Sequence, residues 1–183
     1  MNNQNINKLI EVREAINLLD KGKINEGLLL LESLYENNRN YHASCYLGIL
    51  YTSGSEKKNI KEDYTRGLSY LLKGAINHHS DSQFFLGSIL EARAKSKHQV
   101  KNAYLWLVRA KKNGSEKAEN KIKEIEETLD EAYLKEFTYY VEELESIKDE
   151  KKYLNQLFSN LNPDDDMYEL MKKWKEYFNN KKI

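Results

Sequence analysis

The 183-residue sequence is poor in residues that interrupt helices or cross-link a chain, with one proline, eight glycines and one cysteine, Cys45. A single cysteine excludes an internal disulfide, and so nothing ties the fold to an oxidising compartment. The sequence also lacks an apolar run long enough to cross a membrane, and it does not begin with a basic segment followed by an apolar one. We therefore expect a cytoplasmic protein with no signal peptide and no membrane partner.

Neither sign of charge is in excess, since 29 Lys and Arg balance 29 Asp and Glu. The distribution is nevertheless uneven. Residues 1–123 carry 20 basic against 13 acidic side chains, whereas residues 124–150 carry 11 acidic against two basic ones. Such an asymmetry between segments is a clue to the charge of a partner. The apolar content of 40% argues against a disordered chain.

Motifs of reaction centres are missing as well. None of the four histidines has a cysteine or an acidic residue at metal-ligand spacing in the sequence, and the glycines occur singly, so no phosphate-binding loop is predicted. Cys45 lies three residues from His42 but belongs to a helical pattern, which indicates a core or groove position, and His78-His79 falls where a turn is expected. The sequence therefore predicts a protein that is not an enzyme, with no catalytic residue, cofactor or metal.

What the chain does contain is an internal repeat. Leu47-Gly48 returns as Leu86-Gly87 after 39 residues, and the block 67–75 returns as 103–111 after 36. Self-similarity at such a spacing is typical of stacked helical repeats. Each unit predicts a pair of helices that approach closely at the small residues, because a glycine inside a helix otherwise costs about 1 kcal/mol relative to alanine.

The best repeats span 41–81 and 82–117, and weaker copies flank them. Residues 25–35 match the block at 67–75, and Ala118 stands 36 residues after Ser82. We assign residues 1–126 to a helical repeat region.

The C-terminal part has a different pattern. Apolar residues step by three or four from Ile122 to Ile147 in a charged background, which predicts one long amphipathic helix, or two broken near 128–130. A short helix is predicted at 152–161. Asn162-Pro163 then begins another, with a capping Asn and a Pro at the first helical position. Residues 127–183 are predicted to be capping helices of the same domain.

The repeat residues resemble the Sel-one-like repeat family, short relatives of tetratricopeptide repeats. The resemblance covers roughly residues 41–126, with Leu90 and Gln99 as departures from the family pattern. It implies an all-α fold, an α/α solenoid of helical hairpins with a C-terminal helical cap, and a role as an adaptor or binding scaffold. The residues that carry it are Ala43, Leu47, Gly48, Tyr51, Gly54, Asp63, Tyr64, Gly67, Tyr70, Lys73, Gly74 and Ala75, then Ser82, Leu86, Gly87, Ala103, Trp106, Arg109, Ala110, Asn113, Gly114 and Ala118.

Such repeats bind partners on the surface lined by the first helix of each pair. The positions left on those helices after removal of the core pattern are rich in aromatic residues, which favour interfaces. The acidic stretch 124–150, which also contains tyrosines, is a second candidate face that would attract a basic protein. The candidate protein-binding residues are Tyr41, His42, Cys45, Tyr46, Ile49, Phe84, Phe85, Ser88, Glu91, Arg93, Tyr139, Glu142, Glu143 and Glu145.

The predicted function is therefore a non-catalytic protein-protein interaction module. Its most specific form is a cytoplasmic immunity protein that binds and occludes a bacterial toxin, such as a basic nuclease domain. Two alternatives stay open, namely a regulatory adaptor of the Sel-one-like type and a nucleic-acid-binding accessory factor that uses the basic residues at 93–101. The neutral total charge argues against the nucleic-acid alternative. The acidic stretch also has an alternative reading, as a solvated helix face.

Overall fold

The computed structural model describes residues 3–148 and, beyond them, residues 152, 153, 155, 156, 168 and 172. Every regular secondary-structure element in this part of the chain is a helix, so the predicted all-α class is confirmed. A 3-10 turn at Glu56–Lys58 interrupts one connector. The α-helices are α1 (Asn3–Asp20), α2 (Ile24–Asn38), α3 (Tyr41–Ser53), α4 (Tyr64–Ala75), α5 (Ser80–Ala92), α6 (Lys97–Lys112), α7 (Glu116–Glu127) and α8 (Glu131–Glu145).

These boundaries agree with the sequence patterns. The two best repeats each contain a helix pair, α3 with α4 and α5 with α6, and the weak first copy corresponds to α1 and α2. Of the two alternatives for the acidic stretch, the structure has the broken one, because α7 ends at Glu127 and α8 begins at Glu131. Of the helix predicted at 152–161, residues 152, 153, 155 and 156 are described, and they are helical. Of the helix predicted from Asn162 onwards, only residues 168 and 172 are described, and the rest of that prediction lies outside the described residues.

Polar side chains immediately before the helices explain where several of them begin. The Asn40 carboxamide oxygen accepts a hydrogen bond from the Ala43 amide at the start of α3, and the Asp63 carboxylate accepts one from the Arg66 amide at the start of α4. Such caps provide partners for amides that have none within the helix. The turn before α5 passes through His78, whose φ is 61°.

From α1 to α7 each helix packs against the next one along the chain, and α8 packs against α6. The first helices of neighbouring pairs also touch, α1 on α3, α3 on α5 and α5 on α7. Within the part of the chain that the structure describes, the buried apolar side chains form two clusters. One draws on α1 to α4 and includes Leu31 and Leu47, and the other draws on α3 to α8 and includes Leu86 and Trp106. No helix in the described part of the chain has the length and apolar character needed to cross a membrane.

The repeated glycines mark the points where paired helices cross. A methyl group on Gly48 would lie 2.5 Å from Cγ of Leu71 and 3.1 Å from the Gly67 carbonyl oxygen. A methyl group on Gly87 would lie 2.8 Å from Cγ of Leu107, which stands 36 residues after Leu71. The same close approach therefore occurs in both of the best repeats, as the sequence predicted.

Candidate functional site

Four partly exposed apolar side chains, which we call the apolar row, lie on the first helices of the two best repeats, α3 and α5. Tyr46 and Ile49 lie one turn apart on α3, while Phe84 and Phe85 lie on α5 with their ring centroids 5.2 Å apart. All four are half-buried and pack against the core with one side. Because α3 contacts α5, the structure brings these predicted binding residues onto neighbouring helices.

Other residues predicted on this face are less accessible. Tyr41 is half-buried beside the ring of Tyr35, and the Ser88 hydroxyl is buried without a hydrogen-bond partner. Cys45 lies in the core, and burial raises the pKa of its thiol to about 12. The thiol is therefore protonated at neutral pH and is not a nucleophile.

The charged residues at the C-terminal end of α5 are held by ion pairs within the molecule. The Glu91 carboxylate lies 3.0 Å from the Lys121 ammonium. The Arg93 guanidinium lies 2.6 Å from the Glu62 carboxylate and 3.8 Å from the ring centroid of Tyr64. Both predicted binding residues therefore already have oppositely charged partners within the chain.

The second predicted face is the outer side of α8. Tyr139 is 68% exposed, and Glu142 and Glu143 are also exposed. Residues three and four positions apart share one side of a helix. The three side chains therefore form one acidic surface, which we call the α8 face.

Glu145 does not belong to that surface. Its side chain is only 20% exposed, because it lies against the C-terminal end of α6, where it pairs with Arg109. Basic residues from the α6 region meet acidic residues of α8 and its N-terminal cap along this boundary. The pairs are Lys97–Asp130 (3.6 Å), Lys101–Glu136 (2.8 Å), Arg109–Glu145 (3.0 Å) and Lys112–Glu145 (2.5 Å).

This pairing changes the meaning of the charge asymmetry in the sequence. Much of the positive charge around 97–112 neutralises negative charge of residues 130–145 within the same chain. Two of the cations also lie over tyrosine rings, Lys97 at 3.6 Å from the Tyr133 centroid and Lys101 at 5.0 Å from that of Tyr140. On α8, the exposed Glu142 and Glu143 remain available to a partner.

One cluster of polar groups was not predicted. His42, in the first turn of α3, meets His79, the residue that caps α5, and Asp81, in the first turn of α5. Nε2 of His79 lies 3.0 Å from Nδ1 of His42, and one ligand atom from each of the three residues falls within 4.8 Å of the others. The two rings are nearly perpendicular, with centroids 4.5 Å apart.

The hydrogen bonds around His79 fix its tautomer. Nδ1 accepts from the Ser82 amide at 3.3 Å, so Nε2 carries the hydrogen and donates to Nδ1 of His42. Burial lowers the pKa of both imidazoles, that of His79 to about 4, and both rings are therefore neutral at pH 7.

The repeat register contained a signal for this cluster. His79 stands 39 residues after Asn40, and both residues cap the first helix of a pair. Asp81 stands 39 residues after His42, so the two occupy equivalent positions on helices that touch. Spacing along the chain could not reveal the cluster, whereas superposing the repeats would have.

No family model, curated protein or solved structure matches this chain at a significant level. The resemblance to Sel-one-like repeats accordingly rests on the motif residues alone.

Proposed function

We propose that this chain is a non-catalytic protein-binding module in which the helix pairs α1–α2, α3–α4 and α5–α6 and the following helix α7 stack as a solenoid, with α8 in its C-terminal cap. The observation that carries the proposal is the apolar row of Tyr46, Ile49, Phe84 and Phe85 on adjoining first helices. Half-buried aromatic side chains held by a core are preorganised, and they make effective anchors because little conformational entropy is lost when a partner covers them.

In its most specific form, the proposal is an immunity protein that binds and occludes a basic bacterial toxin in the cytoplasm. The α8 face supports this choice by charge, since it presents Glu142 and Glu143 beside the exposed ring of Tyr139. An acidic surface accelerates encounter with a basic partner, and the acceleration falls as salt screens it.

The regulatory adaptor is the first alternative, and it uses the same surfaces with a different partner. The nucleic-acid alternative is less well supported, because phosphate binding requires several cations free on one face. Arg93, Lys97 and Lys101 each lie in an ion pair with an acidic residue of this chain. Salt-sensitive retention of RNA or DNA in an electrophoretic shift assay would favour it nonetheless.

The first experiment is capture of the tagged full-length chain from its native host, with co-purifying proteins identified by mass spectrometry. A basic secreted toxin or nuclease would support the specific proposal, and a regulatory protein would support the adaptor. If the purified chain turned over a substrate, the non-catalytic proposal would be wrong.

The partner then tests the α8 face. The double substitution Glu142→Lys and Glu143→Lys should slow association at least several-fold at low salt, with a smaller effect at high salt. Glu145 is left unchanged, because it has partners inside the molecule. The matched control is Glu14→Lys with Glu127→Lys, which changes the net charge equally at two exposed positions outside α8. Equal slowing in both variants would remove the α8 face from the interface.

A further inference from the structure

We propose that His42, His79 and Asp81 form a binding site for a divalent transition-metal cation, of which Zn²⁺ is the natural candidate. The three residues come from the first turns of two neighbouring helices, α3 and α5, and offer two imidazole nitrogens and one carboxylate oxygen within 4.8 Å of one another. Two His and one carboxylate are a recurrent zinc ligand set that leaves a fourth position for water or another ligand.

The spacing of the nitrogens suits a shared metal. With Zn–N bonds of about 2.0–2.1 Å in a tetrahedral site, two ligating nitrogens lie roughly 3.3 Å apart. Nε2 of His79 and Nδ1 of His42 are 3.0 Å apart, so they need to separate by only a few tenths of an ångström. The two rings are nearly perpendicular and do not stack. In the metal-free protein the two nitrogens face each other through a hydrogen bond, so binding also requires both rings to turn until their lone pairs converge on the cation.

Metal binding also has a defined proton balance. In the metal-free protein, the hydrogen on Nε2 of His79 occupies the place that the cation would take. On binding, that hydrogen moves to Nδ1 of the same ring, where the Ser82 hydroxyl oxygen, 2.8 Å away, accepts a hydrogen bond. The Ser82 amide then loses Nδ1 as its acceptor, a cost that metal binding has to offset. The imidazole stays neutral, no proton is released, and Ser82 orients the ligand as outer-shell partners of zinc ligands usually do.

The electrostatic surroundings set limits on affinity. Asp81 supplies the negative charge, and it is exposed, which gives a cation access from solvent. The N-terminal ends of α3 and α5 oppose a cation because their amides point towards it, and Lys8 adds a further positive charge near His42. Cys45 lies close to Ser82 but remains a neutral thiol and is not a ligand. Where it binds, the cation would tie the first helices of the two best repeats together.

The test is titration of the purified full-length chain with Co²⁺, followed by visible absorption, and with Zn²⁺, followed by calorimetry. The wild type should bind one equivalent of either metal. Asp81→Asn keeps an exposed side chain of similar size, and His42→Gln keeps a polar side chain in the first turn of α3. Each should raise the dissociation constant at least about tenfold. The matched control is His78→Asn, since His78 is an exposed neighbour of His79 in the left-handed region, which Asn tolerates.

Nitrogen NMR of the imidazoles gives an independent readout, because Zn²⁺ should shift the His79 hydrogen from Nε2 to Nδ1. Absence of saturable binding by the wild type would overturn the proposal. So would unchanged affinity in the Asp81 and His42 variants, equal loss in the His78 control, or a His79 ring that keeps its hydrogen on Nε2.

Discussion

The crossing of α3 and α4 gives the sharpest test of the packing described here. Gly67→Ala places a methyl group 2.5 Å from the Thr52 amide nitrogen and 2.8 Å from the Gly48 carbonyl oxygen. Alanine in a helix gains about 1 kcal/mol over glycine. Overpacking a buried site costs about 1–3 kcal/mol and occasionally more, and the upper end applies here because backbone atoms cannot rotate away.

We therefore expect the free energy of unfolding to fall by about 2 kcal/mol, which corresponds to a decrease of about 4–8 °C in Tm for a chain of this size. Chemical denaturation followed by far-ultraviolet circular dichroism measures it. Thr65→Ala is the control, because Thr65 is exposed on the same helix and its replacement should stabilise by a few tenths of a kcal/mol. If Gly67→Ala were as stable as the wild type, the close approach of α3 and α4 would be refuted.

Three further predictions use the same denaturation assay. Glu145→Gln should destabilise the protein by about 1–2 kcal/mol, since it weakens a partly buried ion pair with Arg109. The control Glu142→Gln, at an exposed site, should change stability by less than about 0.5 kcal/mol. Equal effects of the two substitutions would contradict the placement of Glu145. Ser88→Ala should be neutral or stabilise by up to about 1 kcal/mol, because the buried hydroxyl has no partner to lose, and a clear loss would reveal a hydrogen bond there. Below about pH 4, Asp130 should contribute to acid destabilisation, since the hydrogen bond from the Tyr133 amide holds the pKa of its carboxylate below the usual value. The stabilisation by the ionised carboxylate is present above the unfolded-state pKa and is lost as pH falls through the folded-state pKa. Asp130→Asn keeps a capping side chain and should flatten that part of the profile, so an unchanged slope would exclude the contribution.

The fold could be predicted from the sequence wherever one helix pair repeats another. Gly48 and Gly87 predict close helix crossings, because a glycine inside a helix is unfavourable unless another helix approaches it closely. The structure places both glycines at such crossings. The break between α7 and α8 was one of two alternatives, since the apolar period continues through Thr128 and only the capping geometry of Asp130 separates the helices.

The ion-pair partners of the charged residues and the histidine cluster could not be predicted from spacing along the chain. The partner of Glu145 is set by how α8 lies on α6, and no local pattern encodes that distance. His42 and His79 meet although 37 residues separate them, because α3 and α5 lie side by side. Composition reports the amount of each charge, whereas the contacts of the folded chain decide how much of it a partner meets.

The division of the buried side chains into two clusters has a mechanical consequence. Among the described residues, α3 and α4 are the helices that contribute side chains to both clusters. If α1 and α2 were to detach, water would reach Leu31 and Leu47, while Leu86 and Trp106 would stay shielded by α5 to α8. The N-terminal helix pair can thus unfold locally without exposing the cluster built on α5 to α8. The helices α3 and α4 form the boundary between the two parts.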